Sequence, residues 1–221
     1  MSETRGLRLT TRAPLKEQRL RALLGGRPET AAREAVEQAQ VAGSLELAGV
    51  AAPGEEAAAR LLTATRAVDP SAPFTAAALL AWHRAAVGGD GYRRDERTRV
   101  EGPAPAPAAL VAGRVAILEQ WMNADSAAQL RPAEQGALLM ARVMELLPFA
   151  EGNGLVARLA ASHVMVRAGA RPPILLGADR LRLDEALRAA FRLETQPLAS
   201  LLAEASERAL DVMIAALLAP L

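Results

Sequence analysis

The chain has 221 residues, 51% of them apolar but only 3% aromatic, so it can bury a sizeable core but must build it mainly from Ala, Leu and Val. Its 26 basic and 25 acidic residues leave a net charge of +1, with no basic stripe and no interleaved aromatics, which removes the electrostatic case for a nucleic-acid partner. The absence of cysteine excludes a disulfide framework, cysteine-ligated zinc and thiol catalysis.

Abundant alanine and few β-branched runs make an all-α protein the expected fold class. Met1 to Arg5 lacks the basic-then-apolar order of a signal peptide. The apolar tail from Val212 is about half the length a bilayer crossing needs. A cytoplasmic protein with no membrane partner is therefore expected.

Residues 1–12 are polar and are expected to run extended. Pro14 suits a helix start, with Leu15, Leu20, Leu23 and Leu24 on its inner side and Gly25-Gly26 as its end. A second helix is expected from Pro28-Glu29 to about Gly49, and a third from Glu55 to Ala67 with Leu61 and Leu62 inward. Asp69 to Pro73 reads as a linker. Phe74 to Val87 follows as a helix carrying Trp82 and His83, the latter expected to be packed rather than reactive.

Gly88 to Pro107 is the longest irregular stretch, and Pro103, Pro105 and Pro107 forbid a central strand there. Helices are then expected over Pro107–Met122, with Leu110, Val111, Val115 and Leu118 inward, and over Pro132–Leu146. The latter stops at Leu147-Pro148, because the residue before a proline is pushed out of helical geometry. Another helix runs from Gly152 to Ala168 and ends at Gly169, and Leu181–Leu193 and Pro197–Leu218 close the chain.

The loop between the helices ending at Leu146 and beginning at Gly152 departs from generic packing. Gly152-Asn153-Gly154 feeding a helix lets backbone N–H groups converge without side chains in the way, and the helix start adds partial positive charge. That is a cradle for phosphate. Glu151 is placed to hold a Mg²⁺ bridging phosphate oxygens, and Arg158 lies on the side a ligand at the helix start would meet. A plain Gly-rich helix–helix turn is the competing reading of the same residues.

Pro148, Phe149, Glu151, Gly152, Asn153, Gly154 and Arg158 stand in register with the signature His-Pro-Phe-x-Asp/Glu-Gly-Asn-Gly-Arg-x-x-Arg, and the chain resembles the Fic/Doc family of AMP-transferases. The resemblance implies a Fic-like helical bundle over 70–221, an N-terminal helical extension over 1–69, and ATP or another phosphate ligand with Mg²⁺. It also implies a short β-hairpin flap at Arg99, Val100, Glu101 and Gly102, where a protein target or partner would dock by strand addition.

Two signature positions differ. Leu147 occupies the place of the family's catalytic histidine, and Leu155 that of its first arginine. Leucine accepts no proton, so the general base is missing, and with Leu155 a phosphate-facing cation is missing too. Many family members also carry an inhibitory Ser/Thr-x-x-x-Glu-Gly/Asn helix. Here Ser44 and Gly49 match within 44–49, while Ala48 stands at the glutamate position. The resemblance thus implies a degenerate member, impaired in nucleotidyl transfer but keeping a phosphate or nucleotide site. The alternatives are an active transferase using another base or donor, and a helical interaction module with a vestigial site.

Overall fold

A computed structural model of the chain describes residues 12–26, 28–49, 54–99 and 102–219. It contains helices α1 (Ala13–Leu24), α2 (Thr30–Leu47), α3 (Glu55–Arg66), α4 (Ala76–Val87), α5 (Val111–Met122), α6 (Asp125–Ala128), α7 (Pro132–Leu146), α8 (Asn153–Arg167), α9 (Arg180–Phe191) and α10 (Gln196–Leu218). Among the described residues there is no strand; of the expected flap, Val100 and Glu101 lie outside the described residues. Among the described residues no helix is long and apolar enough to cross a membrane.

The bundle is built around α8. Val156, Ala157 and Leu159 to Met165 are buried almost without interruption, which is the pattern of a helix apolar on every side. Residues 147–152 connect it to α7, so the two pack along one another, while α4 covers a second side. The larger core joins Leu79, Trp82, Leu139, Met140, Phe149, Val156, Leu198 and Leu202. A smaller one sets Leu20, Leu24, Val36 and Ala32 of α1 and α2 against Leu210, Met213 and Ile214 of α10.

Local chemistry sets most boundaries. Gly25 ends α1 at φ 55°, and Pro132 opens α7. Thr75 caps α4, its hydroxyl accepting from the Ala78 N–H at 3.0 Å. Three expectations need correction. Leu15 is 70% exposed, because the buried side chains of α1 are Leu20 and Leu24 and Leu15 lies off their face. Leu110 is 51% exposed, because it ends a short 3₁₀ turn and lies out of phase with the buried face of α5. The one-turn helix α6 was not foreseen, being too short to carry a period.

One backbone contact decides how α2 sits. A Cβ on Gly43 would lie 1.9 Å from the carbonyl oxygen of Leu175, so only glycine lets α2 approach the chain after α8 this closely. Its C-terminus is thereby delivered to the loop that opens α8.

Candidate functional site

The loop starts with strain. Leu147 adopts φ 44° and ψ 64°, a left-handed conformation that leucine seldom takes and that costs about 1–3 kcal/mol. Its surroundings hold it there. Arg93 donates from Nε to the Leu147 carbonyl at 2.7 Å, from Nη1 to Asp95 at 2.8 Å and from Nη2 to Ala106, while its own N–H reaches Pro148 at 2.9 Å. The guanidinium is buried at the C-terminal end of α7, where the helix dipole favours a cation. The sequence gives no sign of this role, because most of the acceptors are backbone groups far along the chain.

Beneath the loop lie several of the scarce aromatics. Phe149 is fully buried and stacks on the His83 ring at 3.9 Å and 4°, with Tyr92 tilted beside it at 5.8 Å. His83 donates from Nε2 to the Glu151 carbonyl at 3.2 Å, and burial lowers its pKa. It is a packed, neutral ring, as expected. His163 is buried against Trp82 at 5.2 Å, and its pKa too is lowered by burial. Neither imidazole stands where Leu147 does.

Asn153 closes the loop on itself. Its side chain accepts the Phe149 N–H at 2.9 Å and donates to the Phe149 carbonyl at 2.9 Å. The side chain of Asn153 is thus committed to the loop, and only its main-chain N–H remains for a ligand. Gly152, at φ 72°, packs so tightly on α4 that a Cβ would lie 2.4 Å from Val87. The first-turn N–H groups of Asn153, Gly154 and Leu155 have no acceptor among the described residues, as at any helix N-terminus.

Arg158 supplies the charge. Its Nε donates to the Ser44 hydroxyl at 3.0 Å and its Nη2 to the Ser44 carbonyl at 2.9 Å. A Cβ on Gly154 would lie 3.2 Å from Nη1, so the guanidinium lies across the head of α8. Among the described residues no carboxylate pairs with it, and Ala48 is an exposed C-cap. Burial first, and the neighbouring Arg180 second, lower the Arg158 pKa to about 10. What compensates the cation is the C-terminal end of α2, a dipole end in place of a full negative charge. Arg180 joins it, donating to the Glu46 carbonyl at 2.5 Å. Glu46 turns away, its carboxylate accepting the Gly177 N–H at 2.9 Å.

Gly154, Arg158 and Arg180 face a cavity of about 140 Å³ between α7, α8 and α9. Glu151 is exposed and does not line it. Among the described residues no group of three acidic or histidine side chains is placed to hold a metal. Arg99 lies to one side, its guanidinium 4.7 Å over the Phe191 ring and bonded to the Met144 carbonyl.

Residues 73–165 match the Fic/DOC family model. The protein adenylyltransferase Fic of Drosophila melanogaster is 29% identical over 112 residues, which is 51% of this chain and 22% of that protein. The match therefore spans about a fifth of the length of such relatives. A Fic domain containing signaling protein from Bacteroides thetaiotaomicron superposes with a TM-score of 0.78 at 18% identity, covering 94% of this chain and 98% of that one. IbpAFic2, solved covalently tethered to Cdc42, superposes at 0.59 with 15% identity over 88% of this chain and 70% of that chain. Both structures share the fold.

Proposed function

From a chain that carries a Fic/DOC family domain over residues 73–165, we propose a degenerate member that holds a phosphate-bearing ligand at the head of α8 and is impaired in nucleotidyl transfer. The observation that carries this is Arg158. A desolvated guanidinium with no carboxylate partner, beside a second one and across unpaired first-turn N–H groups, is electrostatically incomplete without an anion. Gly152, Gly154 and the Asn153 N–H complete the cradle.

The impairment follows from Leu147. General-base catalysis contributes about 10²–10⁴ in rate, and a hydrocarbon at that position supplies none of it. His83 is buried under Phe149 with its Nε2 on the Glu151 carbonyl, and His163 is buried against Trp82, so neither is presented as an alternative base. Leu155 removes a further cation. Mg²⁺, which in this family accompanies the nucleotide, would draw on Glu151 of the loop and would otherwise be held by the ligand's own phosphates. A lone exposed carboxylate fits that secondary role. A protein partner would meet the 99–102 segment; IbpAFic2, which shares the fold, has been solved tethered to Cdc42.

The test has two arms. Isothermal titration with phosphate and Mg²⁺-ATP should show binding that Arg158→Gln abolishes, and wild-type chain given α-labelled ATP and cell lysate should transfer no label. Label transfer by the wild type, or binding indifferent to Arg158→Gln, overturns the proposal.

A further inference from the structure

Resting on the anion site just proposed, we infer that its ligand is a small phosphate or carboxylate with a short aliphatic body, and that the site does not read a purine base. The argument comes from what surrounds the two guanidinium groups. Apart from Arg158, Arg180 and Asp184, the described cavity wall is hydrocarbon or thioether: Leu47, Met140, Met144, Leu183 and Leu187 line it, with Ala157 and Gly154. Among the described residues no aromatic ring lines it to stack on a base. Nor does any side-chain amide or hydroxyl among them line it to pair with a base edge, and a buried base edge without partners costs free energy.

Size points the same way. A cavity of about 140 Å³ has room for roughly ten groups the size of water. That matches a phosphate bearing a chain of about four carbons. Polarity also orders the ligand along the cavity. The charged end belongs at Arg158, Arg180 and the Gly154 N–H, and the chain lies along α7 and α9. Asp184, exposed on α9 one turn beyond Arg180, disfavours a second negative charge along that wall. Methionines suit such a wall, since a flexible thioether adapts to chains of different branching.

Calorimetric titration of the full chain with methyl, ethyl and butyl phosphate, with AMP alongside, tests this. Each added methylene that enters the cavity should tighten binding about four-fold, so butyl should exceed methyl phosphate by up to about sixty-fold. AMP should bind no better than methyl phosphate. Arg180→Gln, at an exposed position that does not threaten folding, should weaken the whole series in parallel, and Leu183→Ala should flatten its slope. A flat series in the wild type, or AMP binding more tightly than butyl phosphate, overturns the aliphatic reading while leaving the anion site standing. If no phosphate binds at all, the anion site falls and this inference with it.

Discussion

Replacing Arg93 by Met tests how the loop is held. The guanidinium is 5% exposed and donates to carbonyls of Leu147, Asp95 and Ala106. Methionine fills similar space but donates nothing. Charge-assisted hydrogen bonds are worth about 1.5–3 kcal/mol each, and the half-buried Leu147 carbonyl and the buried Ala106 carbonyl would be left unsatisfied. Against that loss stands the relief of a buried charge with no carboxylate partner, so a net cost of about 3 kcal/mol is expected. In a chain of this size that lowers the melting temperature by about 6–12 °C, read by far-ultraviolet circular dichroism. Arg93→Lys should fall between, since it keeps the charge but not the fork. A shift below about 2 °C for Arg93→Met would refute the view that this side chain enforces the Leu147 conformation.

Gly43→Ala should destabilise by about 2 kcal/mol or more despite its gain in helix propensity, because the new methyl meets the rigid Leu175 carbonyl at 1.9 Å. Gly136→Ala meets the flexible end of Met165 at 2.7 Å and should cost clearly less; equal melting shifts for the two would contradict the packing described. Stability should fall as pH drops below about 6.5, since burial lowers the pKa of both His83 and His163 and the unfolded chain then binds more protons. His163 has neither ring nitrogen bonded among the described residues, so His163→Leu should raise the urea midpoint and flatten its pH dependence between pH 5 and 7.5. Leu147→His combined with Leu155→Arg should gain self-labelling from α-labelled ATP, and a silent double variant that still binds phosphate would count against an intact site geometry.

Much of the helical frame is legible in the chain because its punctuation is chemical: Pro132 and Leu147-Pro148 bound α7, and Gly25 closes α1. Leu110 and Leu15 escape such reading, since a periodic pattern does not say which apolar residues find a neighbour. Within the site, Gly154 and Arg158 line one cavity, Gly152 packs against Val87, and Arg158 meets Ser44 from the segment that lacks the glutamate. Asn153 does not offer its side chain outward, because the amide fits the Phe149 backbone in both directions. Arg180 is one arginine among many in sequence, and only the fold sets it beside Arg158. Glu151 remains at the lip, outside the cavity its neighbours enclose.

The account centres on the Arg158 guanidinium as the receiver of an anion. Its Nε–H, bonded to Ser44, is an addressable nitrogen-15 resonance, identified by its loss in Arg158→Gln. Adding phosphate should move that resonance along a saturating curve, and Arg180→Gln should weaken the fitted affinity. A resonance that stays in place while phosphate reaches tens of millimolar, about the upper range of weak anion sites, would contradict it.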